Sequence, residues 1–280
     1  MPAPFMMRCL AMALSLWPCW KPRLIAGLRR RKNQMNRYTK RFSISDVPSW
    51  MCPICESSTL SIDRQTFFRV ETADSKKSTG HSDWEPDWLR FVYSCVFKCA
   101  NKQCEGVVSS VGTGCLEEGL DEEFGQCFSE YFYPKYFYPN LKIFKLPEDT
   151  PSEIAEEINQ SFSLFFCNFD SAANHARIAL ENILTDLKVK RYKIANHKRK
   201  TITLHNRIEL LPAKYEKIKT LMLAVKWLGN SGSHSGRGLT PEDVIDAYKM
   251  LSVVLNAIYD DKHAEASKLA KGINKKKGPK

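Results

Sequence analysis

No apolar run in the 280 residues is long enough to cross a bilayer. Residues 9–20 come nearest, but they are few, contain Pro18 and follow Arg8. Nor do they make a secretory leader, because the cluster Arg29-Arg30-Arg31-Lys32 comes after the apolar part instead of before it. We therefore expect a chain that does not contact membrane through a spanning helix and works in the cytoplasm. There is no internal repeat, which excludes solenoid architectures, and no P-loop, catalytic triad or paired-carboxylate motif, which removes the enzyme classes built on them. The first 45 residues contain no acid, only ten Lys or Arg. Met35 is the expected start, with residues 1–34 an upstream extension.

Cysteine is not scarce, with ten in the chain, but its spacing does not describe a disulfide scaffold. Four cysteines fall in two short pairs, Cys52-x-x-Cys55 and Cys99-x4-Cys104, while Cys95 and Cys167 sit in apolar runs where a thiol behaves as a small hydrophobe. Two such pairs at strand ends provide the four soft ligands that a tetrahedral zinc ion requires. Cys52, Cys55, Cys99 and Cys104 are thus the expected metal ligands. The zinc would be structural, since four thiolates leave no position for water. The 43 residues between the pairs call for a long hairpin inserted between the two turns. Cys95 is a rival ligand by position, but alternation in Phe91-Val92-Tyr93-Ser94-Cys95-Val96-Phe97 turns it toward the core.

The expected fold class is α+β, a small β zinc ribbon followed by an all-α bundle. Residues 1–42 would be a basic extension without fixed structure, and residues 43–114 the zinc ribbon. Residues 71–90 read as a polar loop or hairpin tip. Val107–Val111 reads as a return strand that Gly112 and Gly114 end. Residues 115–150 read as an extended connector with one strand, its rings in Tyr131-Phe132-Tyr133 and Tyr136-Phe137-Tyr138 packed on the neighbouring domain. From 151 to 260 the period becomes helical. Helices are expected over 152–166, 170–188, 201–211, 212–228 and from Pro241, with Thr240 as N-cap of the last. Residues 188–200 read as a basic loop, and 261–280 as a Lys-rich tail that frays.

Charge is unevenly spread. Residues 46–187 hold 11 basic and 23 acidic side chains, whereas residues 188–226 hold 12 basic and two acidic. Such a contrast implies either a local surface for a polyanion or contact between the chain's own opposite charges.

Two segments carry a family resemblance: Ala176-Arg177-Ile178-Ala179-Leu180-Glu181, and Leu228-Gly229-Asn230-Ser231-Gly232-Ser233-His234 with the helix after it. Together they resemble the prokaryotic domain of unknown function 4145, a HEPN-like helical family, over about residues 147–260, and the zinc ribbon resembles its usual companion. The resemblance implies a dimeric module of a restriction or antiviral defence system, with RNA, DNA or a defence protein as partner. HEPN ribonucleases resemble one another in an Arg-x(4–6)-His motif. His234 matches the histidine, but Gly229, Leu228 and Trp227 stand where the arginine belongs, and Lys226 lies one step further out. Lysine lacks the guanidinium's fork. Arg191–His197 and Arg199–His205 fit by count within a basic segment where chance matches are easy.

The expectation is therefore a non-catalytic nucleic-acid or effector-binding module. The alternatives are a metal-independent ribonuclease using His234 with Lys226 or Arg177, and a protein–protein adaptor. Arg177, Glu181, Lys226, Asn230 and His234 form the expected polar cluster. Against that, Gly229 and Asn230 would serve equally to end a helix, and Arg177 with Glu181 to make an intrahelical ion pair. Lys190, Arg191, Lys193, Lys198, Arg199 and Lys200 are the expected polyanion contacts.

Overall fold

The computed structural model describes residues 34–121, 125–234, 238–260, 270–275 and 278, without the side chains of Gln34, Asp121, Ala195 and residues 232–234. It is a mixed α+β chain, a four-stranded antiparallel sheet followed by a helical region.

The sheet is a meander of β1 (Leu60–Glu71), β2 (Arg90–Cys99), β3 (Val107–Asp121) and β4 (Gly125–Tyr138), in that spatial order. Alternation in β2 works as its sequence requires, burying Phe91, Tyr93, Cys95 and Phe97 on one face. Between β1 and β2 the polar stretch is not wholly irregular, because it holds a short helix α1 (Ala73–Ser78) capped by Thr72. Residues 1–33 of the basic extension lie outside the described residues, and nothing in the fold bears on a start at Met35. From Gln34 onward the extension is part of the fold, which corrects its expected lack of structure. Tyr38 and Phe42 are buried, Phe42 bridges Phe132, and the Trp50 indole N–H donates to the Arg37 carbonyl.

The larger correction concerns Gly112 and Gly114. They do not end β3, which runs on to Asp121 and pairs with β4, so residues 115–121 and 125–138 belong to the sheet and only residues 139–151 connect it to the helices. Both glycines make room for rings on the core face. A Cβ at Gly112 would stand 2.8 Å from the Tyr93 ring and 2.2 Å from the Tyr133 carbonyl oxygen, and one at Gly114 would stand 2.6 Å from the Phe132 ring. The aromatic segment then divides between the two faces, with its alternation reset by a bulge between Pro134 and Tyr136: Phe132 and Phe137 face inward, while Tyr133, Tyr136 and Tyr138 are exposed. Phe137 meets Phe166 edge-on at 4.8 Å and carries the core from the sheet into the helices.

The helical region comprises α2 (Ser152–Leu164), α3 (Phe169–Asp186), α4 (Leu204–Glu209), α5 (Glu216–His234) and α6 (Pro241–Tyr259). The apolar stripe of α3 is buried from Ala172 through Leu184, and that of α6 from Val244 through Leu255. Thr240 caps α6 in a reciprocal pair with Asp243. The Ser161 hydroxyl donates to the Ala172 carbonyl and accepts from buried Tyr248, whose hydroxyl also lies 3.0 Å from the Ser161 carbonyl, so one polar cluster ties α2, α3 and α6. Two helical expectations fail. The basic loop is a two-stranded ribbon, β5 (Tyr192–Ala195) with β6 (Lys198–Thr201), and this shortens the third expected helix to α4. The fourth expected helix does not stop at 228 but continues to His234. The frayed tail lies outside the described residues except for a helical turn at 270–275 and for residue 278.

Candidate functional site

Two constellations emerge, one in each half. At the end of the sheet where β1 begins and β2 ends, the ligand atoms of Cys52, Cys55, Cys99 and Cys104 all lie within 4.8 Å of one another. Two turns of like construction present them. Each places the residue after its second cysteine, Glu56 or Glu105, in left-handed backbone with φ of 50°. Cys52 Sγ is 3.8 Å from Cys104 Sγ, and Cys55 Sγ is 3.6 Å from Cys99 Sγ. A tetrahedron of thiolates about 2.3 Å from a central ion has edges of about 3.8 Å. The four cysteines therefore fit a metal ion. Hydrogen bonds from Ser57 pull the Cys55 thiol down to about 6, while burial pushes Cys104 up to about 12. Cys95 lies apart from the cluster in the core, its thiol raised to about 12 by burial.

The second constellation is a cavity of about 580 Å³ where α3, α5 and the start of α4 meet. Arg177 and Glu181 come from α3, Thr203, Leu204 and His205 from the chain entering α4, and Lys226, Trp227 and Asn230 from α5. Gly229 makes this meeting close. A Cβ there would stand 2.6 Å from the Arg177 Cβ and 2.8 Å from the Ala173 carbonyl oxygen. Its missing side chain serves helix–helix approach rather than helix termination, which is why α5 continues past it.

Four of the five residues expected to cluster line this cavity. Arg177 is already engaged, donating to Glu181 at 2.5 Å and to Asn174 at 3.1 and 3.2 Å, so the intrahelical pair is present and its charge is balanced. Lys226 is different. Its side chain is only 7% exposed, its ammonium lies 3.1 Å from the centre of the Trp227 ring, and it forms no ion pair among the described residues. Withdrawal from water pushes its pKa down. Residues 226, 230 and 234 follow at intervals of four along α5, but the His234 side chain lies outside the described residues.

The histidine that sequence reasoning set aside is the one in the cavity. His205 lies 6.3 Å from the Trp227 ring, and its buried Nδ1 has no hydrogen-bond partner. The count Arg199–His205 carried that signal, but a match of spacing in a basic stretch is no evidence until the chain folds. Next to the cavity stands the β5–β6 ribbon. Its base is held by buried Arg207 of α4, which donates to the Glu181 carbonyl, the Thr185 hydroxyl and the Val189 carbonyl. None of Lys190, Arg191, Lys193, Lys198, Arg199 and Lys200 forms an ion pair among the described residues. Among the described residues, no acidic side chain forms an ion pair with this segment.

Residues 159–276 match the family described as domain of unknown function DUF4145. Residues 40–137, which contain all four clustered cysteines and nearly the whole sheet, match a second, domain of unknown function DUF8608. No curated protein and no solved structure matches the chain. The DUF4145 match holds every residue of the cavity, and begins and ends somewhat later than the resemblance over 147–260. The DUF8608 match has no counterpart in the sequence reading. Among the described residues, no helix is long and apolar enough to cross a membrane.

Proposed function

We propose that the chain is a nucleic-acid or anionic-effector binding module, in which a zinc-stabilised ribbon supports a HEPN-like helical domain that holds the ligand. The observation that carries this reading is Lys226. Lys226 is a largely covered lysine with no counter-ion among the described residues, its ammonium set against the Trp227 ring, and it lines an open cavity together with Asn230 and His205. A phosphate group has the charge and the acceptor oxygens to pair with it. The exposed Trp227 ring adds a stacking surface for a base. Zinc is the metal of choice for four cysteines at these spacings, and it would act by holding the two turns together. The placement in a cytoplasmic, homodimeric, prokaryotic defence component rests on the resemblance of the helical half.

A second reading, ribonuclease, is favoured by His205, since a histidine beside Lys226 supplies a proton acceptor next to a cation. The missing guanidinium fork weighs against it. We expect labelled single-stranded RNA to stay uncleaved under single-turnover conditions; cleavage by wild type that disappears in both His205→Ala and His234→Ala would promote the ribonuclease. Binding itself is tested by titrating the protein with a labelled 20-nucleotide DNA over a salt series. Affinity should fall steeply with salt, as phosphate contacts demand. Affinity that is absent, or indifferent to salt, would leave a protein–protein adaptor as the better account.

A further inference from the structure

The β5–β6 ribbon has two unlike faces. Its register pairs Tyr192 with Thr201, Lys193 with Lys200, Ile194 with Arg199 and Ala195 with Lys198. Alternation therefore sets Lys193, Lys198 and Lys200 on one face, and Tyr192, Ile194, Arg199 and Thr201 on the other. On the second face the Arg199 guanidinium lies 3.7 Å over the Tyr192 ring, and Ile194 is 84% exposed near the turn.

The lysine face is unfavourable for folding. Like charges directly opposite each other across an antiparallel pair repel, and Lys193 stands opposite Lys200. No Asp or Glu occurs anywhere between Asp186 and Glu209, so the repulsion has no local relief. An exposed Ile194 brings no packing in return. Among the described residues, the ribbon is tied to the helices only at its root, through Arg207 bound to the Val189 carbonyl and through the buried Ile202, whose N–H donates to the Arg191 carbonyl. A projecting, self-repelling cationic hairpin tied down at its root is a poor structural device and a good polyanion contact.

We propose that this ribbon is a DNA-binding arm that lies in the major groove of a B-form duplex. Two strands about 4.8 Å apart, with side chains on both sides, fit a groove about 12 Å wide. The long stems of Lys193, Lys198 and Lys200 carry their ammonium groups to the phosphates on the groove rims. The opposite face offers Arg199 to base acceptors and Ile194 to thymine methyls, contacts that the deep, narrow major groove of an RNA duplex does not admit. The inference deepens the nucleic-acid reading and rests on it, with the cavity beside the ribbon taking a phosphate-bearing group of its own.

The test uses the full chain and three labelled probes of one sequence: a 20-base-pair DNA duplex, its single strand and the corresponding RNA duplex. Wild type should bind the DNA duplex at least about tenfold more tightly than the other two. The triple variant Lys193→Gln, Lys198→Gln, Lys200→Gln should lose duplex affinity by more than about tenfold at low salt and flatten the salt slope by about three charges, with a melting temperature unchanged or raised. Ile194→Ala should weaken duplex binding severalfold and leave the slope alone. Equal affinity for all three probes, or a triple variant that binds as wild type does, overturns the arm. If the triple variant is neutral while Lys226→Met weakens binding, the arm fails and the cavity reading stands. If the triple variant loses binding while Lys226→Met does not, the arm stands and the cavity reading fails. No binding to any probe overturns both.

Discussion

The two constellations are built in opposite ways. The cysteine cluster is drawn from short pairs, and each turn that presents its ligands is nearly complete within a few residues of sequence. The cavity is drawn from three helices, and its members, from Arg177 to Asn230, meet only because α3 and α5 pack closely at Gly229. One site is made by spacing and the other by packing. Their sensitivities to mutation should therefore differ in kind: the first should fail when a ligand is lost, the second when the helices are pushed apart.

The largest effect expected is at the cysteine cluster. Cys52→Ser removes one of four ligands, and a structural zinc contributes on the order of 10 kcal/mol to a small domain. Protein purified without chelator should carry about one zinc per chain, and the variant should lose both the metal and the cooperative unfolding of the sheet half. Metal analysis that finds no zinc in wild type breaks the comparison at its first term. Next comes Arg207→Met. Three part-buried hydrogen bonds at the end of α3 and the root of the ribbon lose their charged donor, but Thr185 is exposed and the Glu181 carbonyl keeps the Thr185 hydroxyl, so the loss should be about 1–2 kcal/mol. Thermal unfolding should show that loss. An unchanged melting temperature would mean water replaces the guanidinium without penalty.

Gly229→Ala sharpens the comparison further, because two principles predict opposite signs. Within a helix alanine is favoured over glycine by about 1 kcal/mol. Here the added methyl meets the root of the Arg177 side chain and a backbone oxygen, neither of which swings aside cheaply, so overpacking of about 1–3 kcal/mol should win. The variant should melt below wild type. A higher melting temperature would show that the helices part without cost and that the cavity is not set by their approach.

The difference in construction also explains what could be read before folding. The clustering of the four cysteines, the inward face of β2, the stripes of α3 and α6 and the Thr240 cap all depend on local spacing or period, and each was legible. Gly112 and Gly114 were misread because a glycine that ends a strand and one that clears space for Phe132 look alike without the ring in view. Gly229 was misread for the same reason, with Arg177 and Ala173 in place of the ring. The 188–200 ribbon escaped notice because its strands are four residues each and its charge masks any alternation. His205 could not be chosen over His234 from spacing, since only the turn from β6 into α4 carries it to the cavity.

The central claim is that Lys226 remains a covered, unpaired cation because a ligand's phosphate completes it. In the free protein the partner of that charge among the described residues is the Trp227 ring, and withdrawal from water offsets that contact, so Lys226→Met should leave the melting temperature nearly unchanged. Binding, by contrast, should respond. Measured with one labelled oligonucleotide across a salt series, the variant should bind about tenfold more weakly at low salt, with a slope of log affinity against log salt shallower by about one charge. Affinity and slope identical to wild type would contradict the account and make Lys226 an ordinary lysine that happens to lie beneath Trp227.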